Sequence, residues 1–225
     1  MKTAIVFGSS GLIGSHLVNQ LIENNDYSKI KLFVRSVPEM NNPKIEIIKT
    51  DFNNLKNHKE EIKGDDCFFC IGTTKKNAPN KDEYRRIELD IPKKIAQITK
   101  SNSVNSFLFV SSGFADPKNL GDYLKYKGKV EEELKKLNFP RLGIMRPSFL
   151  LGDRKENRVG EKIGIFFFKI LSPLFLGPLK KMKPIHSEIV AKAMIIVAQN
   201  DLHQNIFESN EIVEIFDLIN LPNTH

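Results

Sequence analysis

TAIVFGSSGLIGSHL, residues 3–17, passes from an apolar run through a glycine-spaced turn into a helical pattern. The run from Thr3 to Phe7 stops at Gly8, and glycines recur at Gly11 and Gly14. Ile13, Leu17 and Leu21 then follow at intervals of four, with Val18 and Ile22 on the same side. The order predicts strand, tight turn and helix. Such a turn cradles a phosphate, because glycines let backbone N–H groups approach a pyrophosphate and the helix N-terminus adds partial positive charge. The expected contacts are Gly8, Ser10, Gly11, Leu12, Ile13 and Gly14, with the hydroxyls of Ser9 and Ser10 as further donors. A glycine-rich connection without a ligand is the competing reading, and the flanking strand and helix weigh against it.

Further strands are expected at Ile30 to Val34, Ile45 to Ile48, Cys67 to Ile71, Phe107 to Val110 and Leu142 to Met145. Between them, residues 54–63 read as a short polar helix and residues 81–100 as a helix interrupted by Pro92. Residues 122–137 read as a charged helix. Strands alternating with helices predict an α/β fold: a Rossmann-like, doubly wound parallel sheet flanked by helices. The expectation is one domain over residues 1–225, with residues from about 150 onward shaping the substrate side. NIFESNEIVEIFDLI, near the end, reads as a short strand and an amphipathic helix.

In such a sheet, ligands bind beyond the carboxyl ends of the strands. Those ends carry Gly8, Arg35-Ser36, Asp51-Phe52, Gly72-Thr73-Thr74, Ser111-Ser112-Gly113 and Pro147-Ser148, which together describe one polar rim. The end of the second strand usually distinguishes the two nicotinamide cofactors, since an acidic residue there bonds the ribose 2′-hydroxyl of NAD. This chain has Arg35 instead, whose forked cation suits a 2′-phosphate, so the expected cofactor is NADP(H). A surface arginine stacked on adenine is the alternative. Asp51 and Phe52 suit the adenine end.

Tyr123 and Lys127, in DYLKYKGKVEEEL, stand four apart on one face of the charged helix. A nearby ammonium favours phenolate, so such a tyrosine can exchange a proton with a substrate oxygen. Tyr126 lacks this partner, because the residue four positions on is Val130. A hydroxyl from Ser111-Ser112 at the preceding strand end can hold a carbonyl.

The net charge of +7 comes from lysines spread along the chain with no nucleic-acid motif among them, so a solvated basic surface is expected rather than a nucleic-acid partner. Cys67 and Cys70 lie three apart in an apolar strand and so face opposite sides, poorly placed to share a metal or a disulfide. No metal site is expected, and the cysteines read as core residues of a reducing compartment. With no leader-like or spanning segment evident, the cytoplasm is the default location. The apolar segment 163–179, followed by Lys180, Lys181 and Lys183, is expected to pack over the core or a subunit neighbour; a hydrophobic substrate pocket or a peripheral membrane contact is the sharper alternative. Ser187 is expected to cap a helix, with His186 before it as a structural residue. The oligomeric state is open.

These features resemble the short-chain dehydrogenase/reductase (SDR) superfamily in its atypical branch, and within it the Tat-interacting-protein-like group. The resemblance rests on GSSGLIGSHL, LFVRS, KTDFNNL, CIGTTKK, FVSSGFADPK, YLKYKGKVEEEL, MRPSFLLGDRKENRVGEK and PIHSEIVAKAM, spanning residues 4–194. It implies a Rossmann-like fold holding NADP(H), with the turn role on Gly8, Gly11 and Gly14, the 2′-phosphate role on Arg35 and adenine contact on Asp51. The nicotinamide-side loop falls on Gly72, Thr73 and Pro147. Tyr123 becomes the acid/base and Lys127 its partner, also bonding the nicotinamide ribose, with the serine role on Ser112 and Ser111 as fallback. Related enzymes often carry a relay Asn where this chain has Glu88, with Asp90 close by. The implied function is an NADP-dependent oxidoreductase acting on a small-molecule carbonyl or alcohol. An NADP(H)-binding redox sensor with little turnover and an epimerase or isomerase are the alternatives.

Overall fold

The computed structural model describes residues 1–151 and 183–220, with the side chains of 219 and 220 excepted. The opening segment forms β1 (Lys2–Phe7) and α1 (Leu12–Glu23), as its apolar run and four-residue spacing predict. The chain continues through β2 (Tyr27–Val34), β3 (Ile45–Lys49) and β4 (Asp66–Phe69). After β4 come α2 (Lys81–Arg85), α3 (Ile91–Ser101), β5 (Ser106–Val110), α4 (Asp122–Leu137) and β6 (Arg141–Arg146). A short parallel pair, β7 (Leu150–Leu151) with β8 (Ile185–His186), precedes α5 (Ser187–Gln199), β9 (Ile206–Glu208) and α6 (Ser209–Asn220).

Among the described residues, seven strands form one sheet in the order β3-β2-β1-β4-β5-β6-β9. Every neighbouring pair in it is parallel. The order reverses between β1 and β4, which is where a doubly wound sheet opens a crevice at its carboxyl edge. The glycine turn lies at that switch point.

Strand residues alternate between two cores. Ala4, Val6, Leu32, Phe68, Leu108 and Met145 pack under α1 and α5. Ile5, Phe7, Phe33, Phe69, Phe107 and Phe109 pack under α3 and α4. The second face is a run of aromatic contacts: Phe33 stacks on Phe7 at 4.7 Å between centroids, and Phe69 lies 6.0 Å from Phe7 and 5.8 Å from Phe109. Fully burying a ring of this size contributes roughly 1.5–3 kcal/mol, so this face is a major source of stability. A second buried polar cluster closes the opposite, amino end of the sheet. There the Asp66 carboxylate accepts from Tyr27 Oη at 2.7 Å, from Lys2 Nζ at 3.1 Å and from Ser106 Oγ.

Three expectations change, and the interruption at Pro92 takes a specific form. Residues 54–63 hold one 3₁₀ turn, Leu55–His58, rather than a helix; only Leu55 of that turn is buried, so there is little apolar stripe to support a longer one. The fourth strand ends at Phe69, which leaves Cys70 outside it. Pro92 produces a local widening of the helix, with Arg86–Asp90 in a π turn and Ile91 N–H bonded five residues back to the Arg86 carbonyl. Proline has no N–H to serve the carbonyl four residues before it, which is that of Glu88. Finally, Ser187 is the first helical residue of α5 and is buried, and His186 in the cap position makes no side-chain cap bond. The segment 163–179 lies outside the described residues.

Cys67 packs in one core and Cys70 against the other, and both are free thiols. Burial pushes the Cys70 thiol up to about 12 and Cys67 well above its usual value, so both stay protonated and unreactive near neutrality.

Candidate functional site

Gly8 has φ +88°, and Gly11 N–H closes the turn on the Gly8 carbonyl at 3.1 Å. A Cβ on Gly8 would lie 2.7 Å from the Cys70 carbonyl carbon, and one on Gly14 would lie 2.0 Å from the Gly8 oxygen. Turn, helix and β4 end therefore touch backbone to backbone, a closeness only glycine permits. Helix α1 begins after Gly11 with no side-chain cap and no acidic residue in its first turn. The N–H groups of Leu12, Ile13 and Gly14 have no partner among the described residues. Orphan donors at a helix N-terminus are the groups that an anion can take up. Ser10 is exposed beside it.

The remaining rim residues gather at the same edge. Arg35 is exposed just beyond β2 and makes no ion pair among the described residues, although it lies within electrostatic reach of Glu83. Asp51 is exposed, and the backbone N–H and side-chain amide of Asn53 hold its carboxyl below the usual range. Phe52 is buried at φ +62°, a costly conformation for a bulky residue, and packs 6.3 Å from Phe7. Its carbonyl accepts from Arg86 Nη1 at 3.2 Å, while the rest of that guanidinium is paired with Glu83 at 2.7 Å. Arg86 thus joins Asp51 and Phe52 on the rim, yet no sequence spacing marks it.

Across the edge, Tyr123 stands in the first turn of α4, 38% exposed, and its hydroxyl makes no hydrogen bond among the described residues. One turn on, Lys127 is buried. Its Nζ donates to the Val110 carbonyl at 3.1 Å, pairs with Glu88 Oε2 at 3.1 Å, and lies 5.8 Å from the centre of the Tyr123 ring and 4.9 Å from that of Phe109. Burial opposes the charge on Lys127, but Glu88, Tyr123 and Cys70 outweigh it and leave the ammonium pKa above its usual value. The ammonium is thus held by one hydrogen bond to the Val110 carbonyl and by the charge of Glu88, below the Tyr123 ring.

The structure separates the two serines. Ser111 is buried, and its hydroxyl donates to Glu131 Oε1. Glu131 is in turn held by Arg146, whose Nε donates to it at 2.9 Å and whose Nη1 reaches Glu208 at 3.1 Å. Ser111 is thus part of a closed structural network. Ser112 is half-buried, and its hydroxyl makes only a long contact, 3.3 Å, to the Gly113 carbonyl. Pro147 is buried, and its carbonyl accepts from Gly113 N–H at 2.9 Å, joining the ends of β5 and β6. Gly72 and Thr73 follow β4, with Thr73 N–H donating to Glu88 Oε1. Glu88, noted from sequence only as a departure from a relay Asn, stands at the centre of this half of the site. Among the described residues no group of three or more His, Cys, Asp or Glu could hold a metal ion, and no helix is long and apolar enough to cross a membrane.

A family model described as NAD(P)H-binding matches residues 8–164. Protein HTATIP2 of Rattus norvegicus is 34% identical over 173 residues, covering 74% of this chain and 70% of its own. Protein FMP52, mitochondrial, of Meyerozyma guilliermondii is 34% identical over 208 residues, covering 88% of this chain and 86% of its own. Among solved structures, the Bordetella bronchiseptica enzyme WbmH in complex with NAD+ superposes with a TM-score of 0.72 at 15% identity, covering all of this chain and 84% of its own; that likeness concerns the fold. The cytoplasmic default is overturned by the relatives named mitochondrial, which match this chain over most of its length. That default rested on the lack of a visible leader or span, and compartment is not a property that composition encodes. With the glycine cradle, the parallel sheet and these relatives together, the chain belongs to the NAD(P)H-binding, Rossmann-fold family of atypical short-chain dehydrogenases/reductases, in its Tat-interacting-protein-like group.

Proposed function

We propose that this protein is an NADP(H)-dependent oxidoreductase that interconverts a carbonyl and an alcohol on a small molecule. The dinucleotide lies along the carboxyl edge, its pyrophosphate on the N–H groups of Leu12, Ile13 and Gly14 and its 2′-phosphate on Arg35. Asp51 and Phe52 flank the adenine end, and Gly72, Thr73 and Pro147 line the nicotinamide end. When bound, the cofactor supplies or accepts a hydride. Ser112 Oγ holds the substrate oxygen, Tyr123 Oη gives it a proton or removes one, and Lys127 steadies the phenolate and bonds the nicotinamide ribose. The chain after β6 shapes the substrate side.

The observation that carries this reading is the buried Lys127 ammonium, 5.8 Å from the ring of a Tyr123 that is open to the rim. A solvated lysine would not be held in that place. The test is NADPH oxidation against a panel of aldehydes and ketones, with Tyr123→Phe as the control. Turnover that falls at least about a hundredfold in Tyr123→Phe agrees with the acid/base role. A panel with no turnover, or a Tyr123→Phe protein as active as its parent, contradicts it.

A further inference from the structure

We propose that Glu88 is a positioning residue that makes the loop after β4 and Lys127 a single unit of the cofactor site. The inference rests on the reading of Lys127 as a cofactor contact and names what holds it there.

Glu88 is 1% exposed, in the one π turn among the described residues. π turns cost backbone regularity and concentrate at functional sites. Here the widened turn before Pro92 lies against α4, within reach of Lys127. Both carboxylate oxygens are used, and they point to different elements: Oε2 meets Lys127 Nζ on α4 at 3.1 Å, and Oε1 accepts from Thr73 N–H on the loop. A Cβ placed on Gly72 would lie 3.5 Å from Oε1, so the loop packs directly on the carboxylate. Further along, Lys75 pairs with Asp122 at 2.9 Å in the first turn of α4. The loop is thus tied at two points to the helix that carries Tyr123 and Lys127.

A buried ion pair is weak evidence for stability, because desolvation offsets the attraction. Its geometry is better evidence. The Val110 carbonyl accepts a hydrogen bond from the ammonium, and Glu88 sets its charge against it from the other element, so the two together fix where Nζ lies. The titratable groups facing this centre are Glu88 from the π turn, Tyr123 from α4 itself and Cys70 just after β4. Tyr84 lies behind Glu88, with Asp122 and Tyr126 near it and Lys75 5.9 Å from its ring centre. Of these, Glu88 is the one that offsets burial most. Glu88→Gln keeps the volume and an oxygen for Thr73 N–H but removes the charge, leaving burial to pull the Lys127 ammonium down. The lysine then loses its proton as pH rises through a lower value than in the parent.

The test measures NADPH dissociation constants by fluorescence at pH 6 and pH 9 for the parent, Glu88→Gln, Lys127→Met and the double variant. Alongside, Lys127 is titrated by NMR with carbon-13 at the lysine ε position, its signal identified by its loss in Lys127→Met. The expected result is that Glu88→Gln weakens NADPH binding about tenfold more at pH 9 than at pH 6, with the Lys127 titration shifted to lower pH. In the Lys127→Met background, Glu88→Gln adds nothing, since Glu88 acts through the lysine. The double variant lacks both buried charges and is expected to fold at least as well as either single change, so the comparison survives a poorly folded single variant. The proposal is overturned if Lys127 titrates alike with and without Glu88, or if Glu88→Gln weakens binding equally at both pH values and equally without Lys127. If Lys127→Met binds NADPH like the parent, it is the cofactor role of Lys127 that fails; the NMR titration then decides the link to Glu88 separately.

Discussion

Gly14→Ala places a methyl carbon 2.0 Å from the Gly8 carbonyl oxygen, 2.8 Å from its carbon and 3.1 Å from the Ser9 Cα. Non-bonded carbon atoms settle near 3.5–4.0 Å, so helix and turn must separate by about 1 Å or more. All three atoms belong to the backbone, and no side chain can swing aside. Overpacking of this kind costs about 1–3 kcal/mol, partly offset by the roughly 1 kcal/mol by which alanine favours a helix over glycine. The larger effect falls on the cofactor. Moving the first turn of α1 misaligns the N–H groups of the cradle, and losing one bond to a charged phosphate costs about 1.5–3 kcal/mol. That corresponds to a roughly tenfold to hundredfold rise in the NADPH dissociation constant. Gly11→Ala is the internal control: its Cβ comes no nearer than 3.3 Å to the Gly8 oxygen, so stability changes by less than about 1 kcal/mol. Urea unfolding and NADPH fluorescence titration read the two quantities separately. A Gly14→Ala protein with the parent's stability and the parent's affinity refutes the close-contact argument.

Two other substitutions probe the parts of the molecule that frame the site. Arg146→Ala strands the Glu131 carboxylate, 2% exposed, without its guanidinium, and is expected to cost about 3 kcal/mol by urea unfolding; a loss under 1 kcal/mol contradicts the closed network assigned to Ser111. Tyr27→Phe removes one of three partners of Asp66 at the amino end of the sheet, and is expected to cost about 1–2 kcal/mol while leaving the NADPH dissociation constant within about twofold of the parent. A large change in affinity there means that the two ends of the sheet are coupled.

The sheet was legible because its strands are short apolar runs ended by glycine or polar residues, and because the helices between them keep a four-residue spacing. Arg35, Asp51, Ser112 and Pro147 could be placed on one edge for the same reason, since each follows a strand. What the sequence hid depends on contacts between elements. Residues 54–63 look helical by composition but have too few buried positions to form more than one turn. Pro92 announces a disturbance, yet whether it bends the helix or widens it is settled by packing against α4. The pairing of Glu88 with Lys127 joins residues 39 positions apart and leaves no periodic trace. Ser111 and Ser112 are equivalent as letters, and only the Glu131–Arg146 network tells them apart.

The central claim is that the carboxyl edge of the sheet holds NADP(H), selected at Arg35. It is tested most directly by dissociation constants for NADPH and NADH on the parent and on Arg35→Ala. The account predicts that the parent binds NADPH at least about tenfold more tightly than NADH, because a guanidinium with no ion pair among the described residues meets the 2′-phosphate, and that Arg35→Ala removes this preference while leaving NADH binding nearly unchanged. A parent that binds NADH as tightly as NADPH, or an Arg35→Ala protein that keeps the preference, contradicts it.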